Sequence, residues 1–161
     1  MNKKGHVLNA VLLSIGLGYL LEPVGDLETF KTILMIGVPV TLGALFPDVD
    51  TEFGKHRKTL HNLPVLLGFV AFPYVFGNLE YVWIGVLTHY VLDMAGSKRG
   101  IALFYPVWKQ EFGLPTGVTV SSKRADIVTA IVTLGELALA AVVVFELPQR
   151  GFELGRQLLG V

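Results

Sequence analysis

Residues 43–61 read Gly-Ala-Leu-Phe-Pro-Asp-Val-Asp-Thr-Glu-Phe-Gly-Lys-His-Arg-Lys-Thr-Leu-His. An apolar run stops at Pro47, two carboxylates follow at Asp48 and Asp50, and two imidazoles come soon after at His56 and His61. Carboxylate oxygen and imidazole nitrogen are the donor set that holds zinc, manganese or iron. Lys55, Arg57 and Lys58 lie between them and suit an anionic substrate. The stretch therefore points to a metal site at the end of an apolar helix.

What lies on either side decides the solvent. Charged residues make up 16% of the 161-residue chain and hydrophobic ones 52%, against about 25% charged in an ordinary soluble domain. The deficit fits a chain for which lipid is part of the solvent. Net charge is zero, so a general basic field for nucleic acid is absent and no stable nucleic-acid partner is expected. The chain has no cysteine, which excludes disulfides, thiolate zinc sites and thiol nucleophiles.

Five apolar segments can be traced. Val7–Leu21 follows a charged start with no small-x-small cleavage site, so it reads as a retained helix, somewhat short for a full crossing. Phe30–Phe46 has spanning length, is kinked by Pro39 and is stopped by Pro47. Asn62 caps a third helix, Leu63–Phe76, with Pro64 in its first turn; Gly77-Asn78 is a tight turn. Tyr81–Leu92 is the fourth, and it runs into His89-x-x-x-Asp93, two side chains on one helical face. After the long stretch Met94–Arg124 (aromatic at Phe104, Tyr105 and Trp108, with a turn at Gly113–Gly117 and an extended piece at Val118–Val120) comes the clearest span, Asp126–Phe145. The tail, 146–161, is amphipathic. The expected fold is all-α: one membrane-embedded domain over 1–161, a bundle of about five helices with its metal-site core in 6–106.

Alternating spans sort the cations. Lys3, Lys4, Lys55, Arg57, Lys58, Lys98, Arg99, Lys109, Lys123 and Arg124 fall on one side, ten in number, and Lys31, Arg150 and Arg156 on the other. The ten-cation side is expected to be cytoplasmic, with the N-terminus inside. His6, Asp48, Asp50, His56, His61, His89 and Asp93 all fall at that same face, which brings every histidine of the chain to one depth. Glu136, an acid inside the last span, marks a polar contact. It is expected far in depth from the histidines, in a helix–helix hydrogen bond in its protonated state.

Taken together, the early His6, Gly43…Leu45-x-Pro47-Asp48-x-Asp50, His56-Arg57-x-x-x-His61, His89-x-x-x-Asp93 and Gly100…Leu103-x-x-Pro106 resemble the YdjM-type membrane-bound metal-dependent hydrolases, LexA-regulated inner-membrane proteins of bacteria. That family is in turn similar to the zinc-dependent phospholipase C and single-strand nuclease superfamily, which cuts phosphoesters. The resemblance implies that Asp48, His61, His89 and Asp93 surround one metal. His6 and a shared Asp93 would contribute to a second, with His56 and Asp50 as outer groups or additional ligands. No histidine follows His89, so one or two ions are expected rather than three: zinc first, then manganese or iron.

The expected chemistry is metal-assisted hydrolysis of a phosphoester, a phospholipid or another membrane-associated substrate. Asp50 would orient or deprotonate the water, and Arg57 would stabilise phosphoryl charge. Lys58, Arg99 and Trp108 would contact the substrate, and the aromatic loop would rest at the lipid interface. Two other readings use the same ligands. One is a non-enzymatic membrane metal-binding or transport protein in which Glu136 belongs to a path across the bilayer. The other is a scaffold whose metal only staples helices.

Overall fold

The computed structural model describes residues 1–117 and 124–159; the extended piece expected at Val118–Val120 lies outside them. The described fold is all-α. Its elements are α1 (Lys3–Leu21), α2 (Leu27–Leu45), a 3-10 turn (Pro47–Val49), α3 (Asp50–Phe53), α4 (Leu63–Phe76), α5 (Val82–Gly96), α6 (Arg124–Val144) and α7 (Leu147–Leu159).

Local chemistry sets most of the ends. The Asn2 side chain accepts from Gly5 N–H and starts α1. Asp26 accepts from the N–H groups of Glu28 and Thr29 and starts α2. Asn62 caps α4 by accepting from Val65 N–H, and Gly77 closes that helix at φ 67, a left-handed position that glycine takes without a Cβ penalty. Pro39 is accommodated inside α2, whereas Pro47 sits at the start of the 3-10 turn.

Among the described residues, three helices are long and apolar enough to cross a membrane: Lys3–Leu21, Leu27–Phe53 (α2 with its short continuation) and Arg124–Val144. The outward faces of α2 and α6 carry Val38, Leu134, Leu139 and Val143, each 60% exposed or more, as lipid-facing helices do. Of the five apolar segments, the third and fourth form α4 and α5, with 14 and 15 residues, about 21 and 22 Å at helical rise, short of a hydrocarbon core of about 30 Å. This pair returns the chain to the end it left, so the expected gathering of ligands does not depend on whether it crosses completely.

Helix α5 is central, packed on α2, α6, α4 and α1. Its tightest contact is with α2, where backbone meets backbone. A Cβ added to Gly85 would lie 2.0 Å from the Val40 carbonyl oxygen, and one added to Gly43 2.0 Å from that of Val82. Ala10, Ile36, Val40 and Ala44 fill the core between α1 and α2; Val82, Val86, Tyr90 and Ile101 fill it beneath the long loop. At one end of the bundle the buried side chains change from apolar to ionisable: His6, Asp50, His61, His89 and Asp93 are each 1% exposed or less.

Candidate metal centre

Each ionisable group reaches that end by a different route. His6 lies in the first turns of α1. Asp48 sits in the 3-10 turn and Asp50 opens α3, both because Pro47 ends the run of α2. His89 and Asp93 lie one helical turn apart on α5. His61 comes from the loop before α4, which Tyr90 clamps: its hydroxyl donates to the Leu60 carbonyl (2.5 Å) and accepts from the Asn62 N–H (3.1 Å).

Four atoms converge. His61 Nε2 and His89 Nε2 are 3.1 Å apart. Asp93 Oδ2 lies 3.7 Å from each of them. Asp48 Oδ1 lies 3.7 Å from His89 Nε2 and 4.0 Å from His61 Nε2. Tetrahedral zinc with bonds of about 2.0–2.1 Å keeps its ligand atoms about 3.3 Å apart, so these spacings suit one ion. On the far side of Asp93, Oδ1 faces His6 Nε2 at 3.4 Å and also meets the Met1 nitrogen. The His6 ring stacks on His89 with centroids 3.7 Å apart.

The outer hydrogen bonds decide what the centre can hold. His89 Nδ1–H donates to the Ala44 carbonyl (2.6 Å) and His61 Nδ1–H to Asp50 Oδ2 (3.0 Å). In the neutral imidazole both Nε2 atoms are therefore bare lone pairs, facing each other and two carboxylate oxygens. Burial above all, then His56 and Arg57, pushes His61 down to about 3, which keeps it neutral and metal-competent. Four acceptors gathered around the two Nε2 atoms without a donor among them could hold a cation.

The geometry places the other expected site residues as follows, with Asp50 in the second of the two roles given to it. Asp50 was expected to act on water, but it is wholly buried and both oxygens are in use. Oδ1 accepts from His56 Nδ1 (3.0 Å), while Oδ2 accepts from His61 Nδ1 and from Leu60 N–H (3.3 Å). It orients histidines. Arg57 was expected on a phosphoryl group. It sits at φ 67 with a buried guanidinium that donates to Ser97 Oγ (2.5 Å) and the Gly100 carbonyl (3.2 Å), joining the histidine loop to the segment after α5. Arg99 is committed to Glu111 through two bonds (3.1 and 2.9 Å), with Lys58 Nζ 3.5 Å from the same carboxylate. Burial would raise Glu111, yet these cations hold it below its ordinary value. Trp108 is 54% exposed and packs against Phe104 and Phe112. His56 is 40% exposed; with Asp48 and His61 it forms one of two groups of metal-competent side chains, the other being His6, His89 and Asp93.

Comparison with known proteins agrees with this architecture. The family model of the YdjM inner membrane protein matches residues 1–152. The chain belongs to that family. No curated protein and no solved structure matches it. For this YdjM-family chain, the match together with the apolar helices establishes a membrane protein associated with a lipid bilayer.

The sequence reading missed Tyr90, Ser97, Ala44 and Glu111. Tyr90 could have been found from its place beside His89. The other three act through chain segments that only the fold brings near. The role of Asp50 gives a direct test. Asp50→Asn keeps the shape but offers an N–H where one histidine needs an acceptor. Zinc affinity, measured by competition with a chromophoric chelator, is expected to fall about 10- to 100-fold with little change in helicity. Unchanged affinity would remove Asp50 from the metal-orienting role.

Proposed function

We propose that this chain is a membrane-bound, metal-dependent hydrolase of phosphoesters, acting on a phospholipid or another membrane-associated substrate. The observation that carries the reading is the donor-free cage of His61 Nε2, His89 Nε2, Asp48 Oδ1 and Asp93 Oδ2. These four residues would hold one zinc-type ion, and His6 with the second oxygen of Asp93 would help to hold another. When bound, such an ion supplies an acidified water and Lewis-acid polarisation of a phosphoryl oxygen.

The protein's own groups supply the rest. Asp48 is 12% exposed while its partners in the cage are buried, so water and substrate approach on the Asp48 side. His56 stands at that opening, oriented through Nδ1 by Asp50, and is placed to exchange a proton with solvent or with a leaving group. Arg57, held beside the cage, contributes positive potential without leaving its partners. The Phe104–Trp108 segment, where Val107 is 95% exposed, rests in the headgroup layer. The ten-cation face puts the N-terminus and the centre on the cytoplasmic side.

The transport reading draws on Glu136, which lies nearer the centre than its sequence position suggested. Among the described residues, Glu136 is the one ionisable residue in the lining of the cavity beside it, whose other residues include Leu13, Leu17, Leu139, Ala140 and Val143, with Thr88 as the lone hydroxyl. That favours a surface-facing hydrolase.

The test is turnover by detergent-purified protein, zinc-loaded or chelator-stripped, on a chromogenic phosphodiester and on phospholipid in mixed micelles. Phosphoester cleavage that follows metal content is expected. Stoichiometric metal without cleavage of any phosphoester would favour the scaffold reading.

A further inference from the structure

Among the described residues, the buried side-chain nitrogen and oxygen atoms that lack a hydrogen-bond partner are His6 Nδ1 and Nε2, Asn9 Oδ1 and Glu136 Oε1. The two His6 atoms belong to the metal centre. The other two belong to a separate contact between α1 and α6, and this contact carries its own assignment.

We propose that Asn9 and Glu136 form a proton-binding site, with Glu136 held as the neutral carboxylic acid in a cyclic acid–amide pair that latches α6 onto α1.

Hydrogen counting leads there. Asn9 Nδ2 donates one proton to Glu136 Oε2 (2.6 Å) and the other to Thr133 Oγ1 (2.9 Å). The Thr133 hydroxyl has already given its proton to the Thr129 carbonyl (2.8 Å). Turning the Asn9 amide over does not help, because its oxygen would then face a hydroxyl with no proton to spare. With Glu136 ionised, Asn9 Oδ1 and Glu136 Oε1 are both acceptors and both stay unsatisfied. One proton on Oε1 gives each of them a partner and completes the pair, since an amide and a carboxylic acid match donor to acceptor at both positions.

The surroundings offer no charged partner among the described residues. Asn9 is fully buried. Leu13 and Leu17 from α1 and Leu87, Thr88 and Val91 from α5 line the cavity of about 320 Å³ beside Glu136, and none of them is ionisable. On α1 the nearest ionisable group is His6, three residues before Asn9, about 4.5 Å along the axis. An unpaired carboxylate in such a place is strongly disfavoured.

The site has structural leverage because α6 buries little else. Its buried residues are Ala125, Thr129 and Thr133, and with Glu136 the two threonines form one stripe at helical spacing against Gly5 and Asn9.

The experiment uses the full-length chain in detergent. Infrared difference spectra between wild type and Glu136→Gln at neutral pH are expected to show the carbonyl stretch of a protonated carboxylic acid, present in wild type and lost in the variant. Gln reproduces both hydrogen bonds, so Glu136→Gln should melt within about 2 °C of wild type, while Glu136→Ala melts at least about 5 °C lower. Sodium or potassium should shift none of the three. A carboxylate band in place of the acid band, or a Gln variant as unstable as Ala, would overturn the proposal. So would a sodium-dependent gain in wild type that the variants lack, because the missing partner would then be a metal cation.

Discussion

Asp93→Ala is expected to abolish specific metal binding. Oδ2 of Asp93 faces His61 and His89, and Oδ1 faces His6, so one truncation removes a ligand from the first position and the link to the second. The loss should exceed about 100-fold in affinity, beyond what removal of an outer hydrogen-bond partner costs. Thermal melting reads it well. An ion at 100 times its dissociation constant stabilises the fold by about 2.7 kcal/mol, or about 5–10 °C for a chain of this length. Wild type should show that rise with zinc, and the variant none. Phosphoester turnover should vanish with it. A variant that keeps the zinc-dependent rise would show that Asp93 is a packing residue.

The second large effect belongs to the helix crossing. Gly85→Ala places a Cβ where the Val40 carbonyl oxygen and the Ala44 nitrogen already lie within 2.0 and 2.6 Å. Backbone cannot yield as a side-chain tip can, so α2 and α5 must separate. Overpacking of this kind costs about 1–3 kcal/mol. The damage reaches the centre because the Ala44 carbonyl that accepts from His89 Nδ1 sits on the same crossing. We expect Gly85→Ala to melt about 3–10 °C lower and to bind zinc about tenfold or more weakly, although it touches no ligand. A variant with wild-type affinity would uncouple the crossing from the site.

How much of this was legible beforehand differs by feature. The span Leu63–Phe76 was readable to the residue because Asn62, Pro64 and Gly77 are local signals. Helix α5 runs on to Gly96 rather than ending at Leu92, so Asp93 lies within the helix, on one face with His89 as its spacing implied. Helix α1 begins at Lys3 because Asn2 caps it, and its two lysines were read as flanking charge. The common depth of His6, His61 and His89 followed from alternating apolar runs, which are a property of the sequence. The outer place of Asp50 beside His56 and His61 was legible too, since all three lie in one short stretch, whereas the contacts of Arg57 and Arg99 were not, because Ser97 and Glu111 are brought to them only by the fold. Glu136 makes a helix–helix hydrogen bond as its place inside a span implied, but its partner, Asn9, could not be named without the fold.

Metal content of the purified protein tests the central claim most directly. Elemental analysis of wild type beside His89→Ala, after mild dialysis in detergent, is expected to find about one or two zinc, manganese or iron ions per chain in the first and substantially fewer in the second. Wild type that holds no metal and takes none up on addition would contradict the metal centre, and the hydrolase reading would fall with it.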